Sequence, residues 1–357
     1  MPEAGALAGP VEVIGTGLLG TSIALACREA GLEVLLTDAS AEHVRTASGL
    51  GAGRPRLAGD RPQLVVVAVP PAYLGRVIAE ALATDPDAIV TDVGSVKGAP
   101  LAEVGVLPGA ERYVGGHPMA GSERSGPLAA TSALFDGRPW AVTPHAGSRP
   151  EAVTLVEQLA RVCRAVPVRM EPAEHDLAVA RTSHVPHLLA VLVAGRLADA
   201  PAQHLALSGQ GVRDVTRVAG GDPELYSQIV TGNAAAVVDL LGEVRDQLDR
   251  LIEAVASGDR STLTGLLQRG QAGTRAIPGK HGGPVRATAA VFVAVPDEPG
   301  GLARLFADAG ESGVNIEDVR IDHDLGRPVG LVELVVAEDS ADRLCGSLES
   351  RGWAAHR

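Results

Sequence analysis

The sequence predicts an α/β chain in three modules: a doubly wound parallel-sheet domain over residues 1–150, an all-helical domain over 151–270 and, after a linker at 271–284, a small α/β domain over 285–357. Three observations carry this. Up to about Val114, short apolar runs alternate with helix-like segments, the order expected of a parallel sheet. Over 151–269 the chain turns alanine- and leucine-rich with helical spacing. At 270–284 it is crowded with Gly273, Pro278, Gly279, Gly282, Gly283 and Pro284, which end both patterns.

Taken in order, Val11–Ile14 reads as a buried strand, followed by Gly15-Thr16-Gly17-Leu18-Leu19-Gly20, an apolar helix-like run to Ala30, and a second strand, Val34–Thr37, that ends at Asp38. This strand, glycine turn, helix, strand and acid make a dinucleotide-binding fingerprint in its required context. Gly15 permits the tight turn, Gly17 lets backbone amides reach a pyrophosphate at the helix N-terminus, and Gly20 allows close helix–strand packing. Leu18 and Leu19 open that helix and complete this part of the cofactor set. Asp38 can accept hydrogen bonds from ribose hydroxyls, and its charge, with no arginine in Ala39-Ser40-Ala41, favours NAD over NADP.

Apolar strands follow at 64–69 and 88–93, with Val69 and Pro70 expected beside the cofactor and Asp92-Val93-Gly94-Ser95-Val96-Lys97 opening the next turn. A strand around 112–114 then leads into Gly115-Gly116-His117-Pro118-Met119-Ala120-Gly121-Ser122-Glu123, a histidine in a glycine-flanked turn. Histidine is the side chain that accepts a proton near neutral pH, and ligands of doubly wound sheets bind at the carboxyl ends of the strands. Ser95 and His117 are therefore expected to share one crevice. Only two lysines, Lys97 and Lys280, stand among 31 basic residues, which singles out Lys97.

In the helical module, Asp176, Ala180, Ser183 and His187 fall on one face by their spacing, and Pro186 is expected to kink or interrupt the helix. His184 and His187 are one turn apart but lack a third ligand nearby, so no metal is expected. Further on, Arg213 and Arg217 lie between glycine turns and suit a carboxylate-bearing substrate, since guanidinium forks a carboxylate with two hydrogen bonds. The plainer alternative pairs Asp214 with Arg217 on a solvated helix face. Tyr226 follows, in a chain with three tyrosines. In the last module, strands at 285–295, 314–321 and 329–336 and helices at 300–309 and 340–350 give a ferredoxin-like order, with a short terminal segment at 353–356.

Composition excludes several classes. A formal net charge of −12 disfavours nucleic acid as a partner. Hydrophobic content of 46% comes without an apolar run long enough for a bilayer or a signal-peptide start, so no membrane and a cytoplasmic location are expected. Cys27, Cys163 and Cys345 are too few and too scattered for a disulfide framework.

Together these segments resemble the prephenate/arogenate dehydrogenase family of tyrosine biosynthesis. The resemblance implies oxidative decarboxylation of prephenate to 4-hydroxyphenylpyruvate with reduction of NAD; the same reaction on arogenate is the alternative, and a catalytically silent amino-acid-sensing protein is the alternative of another class. It implies that His117 accepts the proton of the ring 4-hydroxyl and that Ser95 orients this histidine. Arg217 matches a substrate-carboxylate arginine, His187 a polar substrate contact and Glu123 an acid gating the site, with Arg213, Asp214, His184 and Tyr226 completing the substrate set. Arg213 departs from a lysine common there, and Tyr226 from a tryptophan. The helical module corresponds to a dimerisation domain, which implies a homodimer whose active sites are each completed by the partner. Asp297-Glu298-Pro299-Gly300-Gly301-Leu302, with Asn315, resembles the effector loop of ACT domains, and tyrosine is the effector this implies.

Overall fold

The computed structural model describes residues 6–121, 125–277, 287–323 and 329–357. The chain divides into two compact units, Met1–Arg250 and Leu251–Arg357.

In the first unit, eight strands, β1 (Val11–Ile14), β2 (Val34–Thr37), β3 (Arg54–Pro55), β4 (Leu64–Val67), β5 (Ile89–Asp92), β6 (Tyr113–Pro118), β7 (Pro139–Thr143) and β8 (Val166–Arg169), form one sheet in the order β3-β2-β1-β4-β5-β6-β7-β8. The pairs from β3 to β6 are parallel, β7 runs antiparallel to β6, and β8 is parallel to β7. β1 has β2 on one side and β4 on the other, so the winding reverses there and a crevice opens beyond the carboxyl ends of β1 and β4. Both faces of the sheet are covered. Along β4, Leu64 and Val66 enter one apolar cluster with Ile23, Trp140 and Leu159, whereas Val65 and Val67 enter another with Ile78, Leu82 and Tyr113. A two-residue side-chain period explains why such a strand reads as a continuous apolar run.

β1 and β2 match their expected bounds. Neither β7 nor β8 is expected from the sequence, which reads as helical from Glu151 onward. The helix Pro150–Val162 instead packs on the sheet, burying Leu155, Val156 and Leu159. β8 then adds an edge strand that is largely exposed and contains Pro167, a composition tolerated at an edge where one side of the ladder faces solvent. His117 also differs from expectation: it lies within β6, opposite Ala141 of β7, and not in a turn. Gly115 and Gly116 permit this pairing, since a Cβ on Gly116 would come within 2.7 Å of the Asp92 carbonyl oxygen and one on Gly115 within 2.4 Å of the Thr143 hydroxyl.

The helical part of this unit follows as Pro172–Val179, a π turn at Ala180–His184, Val185–Gly195, Gln210–Thr216 and Pro223–Gly232, and Ala234–Ser257 begins in it. Pro186 does not end the helix. Its missing N–H falls in the first turn after the π turn, where the regular hydrogen-bond ladder is already displaced. The stretch Pro172–Gly195 is thereby 24 residues long with mean hydropathy 1.4, long and apolar enough by length and composition to cross a membrane, contrary to the expectation that no such run exists. It reaches that length only by continuing through Pro186, and it buries the polar residues His175, Asp176, His184 and His187.

In the second unit, Arg260–Ala276 is helical, capped by Asp259 accepting from the Ser261 and Thr262 amides, and extends into the expected linker. The rest of that linker, 278–284, lies outside the described residues. Strands β9 (Thr288–Pro296), β10 (Ile316–His323), β11 (Val329–Ala337) and β12 (Ala354–His356) form an antiparallel sheet in the order β10-β11-β9-β12. Val293, Val295 and Leu334 pack against Leu305 and Leu344 of the helices Gly301–Glu311 and Ala341–Ser350. This is the ferredoxin-like order expected.

Candidate active site

The nucleotide end is built from loops after β1, β2 and β4. Gly15 sits at φ +98°, and a Cβ on Gly20 would come within 1.9 Å of the Gly15 carbonyl oxygen, so the turn closes only with glycine at both positions. Gly17 has open space on its Cβ side, and the helix Leu18–Glu29 that it precedes has no side-chain cap. A helix N-terminus without a side-chain cap, with room for close approach at Gly17, suits a pyrophosphate. Asp38 accepts from the Thr16 amide (2.5 Å) and hydroxyl (2.9 Å) and from the Ser40 amide (2.8 Å), which fixes its carboxylate at the end of β2. Val69 is half-buried and Pro70 exposed in the loop after β4.

His117 lies farther along the sheet, above a buried ionic group. Lys97 Nζ, fully buried, donates to the Asp92 carboxylate and to the Gly116 carbonyl (2.8 Å). Asp92 also accepts from the Tyr113 hydroxyl (2.9 Å) and the Gly94 and Gly116 amides (2.9 and 3.3 Å). Burial pushes the Lys97 ammonium below its ordinary pKa, against the pull of Asp92. The same burial, with Asp92 beside it, raises the Tyr113 phenol well above its ordinary value. This group ties the loop after β5 to the backbone next to His117.

The His117 ring is half-buried, with Nδ1 2.9 Å from His175 Nε2 and the rings edge to face at 5.1 Å. His175 Nδ1 lies 2.8 Å from Asp176 Oδ1. Asp176 also accepts from the Lys97 amide (2.9 Å) and the Gly98 amide (2.7 Å). Burial first, then the neighbouring His175, Lys97 and His184, hold the His117 imidazole well below its ordinary pKa, so it is neutral at neutral pH. Burial alone would raise the Asp176 carboxyl, but the hydrogen bonds from His175, Lys97 and Gly98 outweigh it and hold it low. Ser95 lies half-buried in the loop after β5 and makes no hydrogen bond among the described residues; the expected orienting contact to His117 is taken by His175.

The π turn changes which helical residues face inward. Asp176, Ala180, His184 and His187 are buried, with His184 in the place expected for Ser183, because a π turn inserts one residue into the helical register. Asn233 donates to the Asp176 carbonyl (2.7 Å) and sits 3.3 Å from His184 Nδ1. Burial lowers the pKa of His184, opposed by Asp176, and that of His187, opposed by a Val218 backbone contact. His187 stacks on Tyr226 with ring centroids 3.5 Å apart and planes 2° from parallel, and its Nδ1 is buried without a hydrogen-bond partner among the described residues. Gly221 packs on this pair: a Cβ there would lie 2.6 Å from the Tyr226 ring.

Arg213, Asp214 and Arg217 are exposed. Asp214 accepts from Gln210 (2.8 Å) and is not paired with Arg217, which has no carboxylate partner among the described residues. Glu123 lies outside the described residues. No group of metal-binding residues occurs among the described residues. In the second unit, Asp297, Gly300, Gly301 and Leu302 follow the Pro296 end of β9, whereas Asn315 precedes Ile316, whose partner Val336 pairs with Ala289 at the other end. The expected effector residues are thus split by the run of β9 from Ala289 to Pro296, about 23 Å, and do not form one pocket within the unit. Spacing along the chain gave no sign of His175, Asp92 or Asn233, and gave Asp176 no role beyond its place on a face. The adjacent His175-Asp176 pair, opposite the only lysine of the first unit, was the available signal.

Two family models match the chain: the nucleotide-binding domain of prephenate dehydrogenase over residues 23–169 and its dimerization domain over 171–269. A Streptomyces niveus protein named "Probable prephenate dehydrogenase NovF" is 37% identical over 96% of this chain and 98% of its own length. The solved prephenate dehydrogenase of Aquifex aeolicus, in complex with hydroxyphenyl propionate and NAD+, is 26% identical with a TM-score of 0.68, covering 74% of this chain and 96% of its own. Synechocystis arogenate dehydrogenase is 26% identical with a TM-score of 0.63, covering 74% of this chain and 98% of its own.

Proposed function

The chain belongs to the prephenate dehydrogenase family, and on that premise we propose that it catalyses the NAD-dependent oxidative decarboxylation of prephenate to 4-hydroxyphenylpyruvate and carbon dioxide. The observation that carries this is His117: a neutral imidazole with Nδ1 already engaged and Nε2 free of any hydrogen bond among the described residues, at the end of a strand in the sheet that forms the nucleotide site. NAD+, when bound on the Gly15–Gly20 turn with Asp38 at its ribose, supplies the hydride acceptor. The other tasks fall to the chain's own residues. His117 Nε2 takes the proton of the ring 4-hydroxyl as hydride leaves the same carbon, and loss of the ring carboxylate as carbon dioxide leaves its electron pair to aromatise the ring. Arg217, without a carboxylate partner among the described residues, takes a substrate carboxylate in this reading, with Arg213 as the second cation. In the same reading the stacked His187 and Tyr226, together with His184, supply the polar side of the substrate site, Ser95 serves the base and the cofactor, Asp214 joins the substrate set, and Glu123 gates the site.

Dimerisation through the helical region is supported by the matched dimerization model and by exposed apolar side chains such as Leu192 and Val238 in the first unit. A cytoplasmic location is supported by the polar, buried side of Pro172–Gly195, which suits a protein interior better than lipid. The second unit is proposed to be an ACT domain responding to tyrosine. With Asn315 at the far end of the sheet from Gly300 and Gly301, an effector contacting both needs more than one copy of this unit. Tyrosine inhibition at saturating prephenate is expected in the full chain and lost after truncation near Gly279; equal inhibition of both would place tyrosine at the active site.

Steady-state rates on prephenate and arogenate, each with NAD+ and NADP+, test the main reading. The highest kcat/KM is expected for prephenate with NAD+. A higher value on arogenate would transfer the assignment to that substrate, and no turnover of either, with NAD+ still bound, would leave the amino-acid-sensing alternative.

A further inference from the structure

We propose that His175 and Asp176 are positioning residues for the proton acceptor, with Asp176 setting the tautomer of His175, and His175 that of His117. The inference rests on the reading of His117 as the base. Asp176 has only acceptor oxygens, so the 2.8 Å contact from His175 Nδ1 requires a proton on that nitrogen. A neutral His175 then has a bare Nε2, which can only accept. Its partner at 2.9 Å, His117 Nδ1, must therefore be the donor, and the resting proton of His117 sits on Nδ1. That leaves the lone pair on His117 Nε2, the nitrogen without a hydrogen bond among the described residues. The opposite tautomer would present an N–H to the substrate hydroxyl and could not take its proton. The carboxylate end is fixed as well: Asp176 accepts from the Lys97 and Gly98 amides, and Asn233 holds its backbone carbonyl. When Nε2 takes the substrate proton, the positive charge on His117 is shared through His175 toward a carboxylate without leaving the buried site.

Two substitutions at His175 separate positioning from bulk. His175→Leu removes the acceptor, whereas His175→Gln offers an amide oxygen that can still accept from His117 Nδ1. The expected result is a kcat roughly 10²-fold lower or more for His175→Leu, with about tenfold of that restored in His175→Gln. NAD+ affinity and KM for prephenate should stay within about threefold of the parent. Long-range proton–nitrogen spectra of histidine-labelled protein supply a readout that a packing role would not move. His117 should be protonated on Nδ1 in the parent and in His175→Gln, and should acquire the Nε2-protonated form in His175→Leu. In a double-mutant cycle, Asp176→Asn should cost less than threefold further once His175 is leucine, since it acts through that ring. A parent His117 protonated on Nε2, equal rates for the two His175 variants, or a His175→Leu enzyme within threefold of the parent would each overturn the proposal. If His117→Asn itself turned over normally, the reading of His117 as base would fail; an inactive His117→Asn beside a fully active His175→Leu would remove only the positioning role.

Discussion

Around His117 the polar groups are buried and engaged with one another, whereas Arg213 and Arg217 stand exposed and Arg217 has no carboxylate partner among the described residues. The two halves of the proposed site need opposite environments. A base must be neutral before it acts, and burial beside positive groups lowers an imidazole pKa. A carboxylate receptor must be charged before substrate arrives, and water keeps it so at little cost. The first half can be completed within one chain by packing, while the second is completed by what binds to it.

The largest expected effect tests the buried half. His117→Asn should lower kcat roughly 10²- to 10⁴-fold while NAD+ affinity, measured by fluorescence titration, is kept; near-normal turnover would erase the contrast. Next, Lys97→Met leaves the Asp92 carboxylate buried without its cation, which costs about 3–5 kcal/mol and should appear as a lower urea midpoint with unchanged slope. An unchanged midpoint would mean that the ionic group beneath His117 is not structural. Arg217→Ala probes the exposed half. Loss of a charged hydrogen bond of roughly 1.5–3 kcal/mol should raise KM for prephenate by about 10- to 150-fold, with little change in stability; unchanged saturation, or a large drop in Tm, would show this arginine to be part of the fold.

The smallest effect is a pH dependence confined to the buried half. His117, His184 and His187 have pKa values lowered in the folded chain, so below about 6.5 the unfolded chain binds more protons than the folded one. Stability contributed by keeping these rings neutral is therefore complete above that pH and is lost as pH falls below it. Thermal unfolding from pH 7.5 to 5 should show Tm falling with acidity, and less so in His117→Asn. A Tm flat across this range would mean that these rings titrate as they do in water.

Which parts could be read in advance follows the range of the interactions. The Gly15–Gly20 turn and Asp38 were legible because each acts through its own backbone and near neighbours: a positive φ, a helix end, a strand end. The place of His117 in the chain was legible; its place in β6 was not, since β7, twenty-odd residues later, pairs with it. Ser183 gave way to His184 because a single π turn shifts every later residue around the helix, and no local spacing announces such a turn.

By itself, then, the sequence determined the nucleotide-binding turn, the apolar runs of the buried strands β4 and β5 and the order of the C-terminal elements, all of them set by periodicity and local backbone chemistry. Only the tertiary structure decided that His175 takes the contact expected of Ser95, that Lys97 belongs with Asp92, and that Gly300 and Asn315 lie at opposite ends of one strand. The reason is physical: these relations join residues on different elements, where partners are chosen by strand register and by the need of each buried polar group for a hydrogen bond, and neither is written in spacing along the chain.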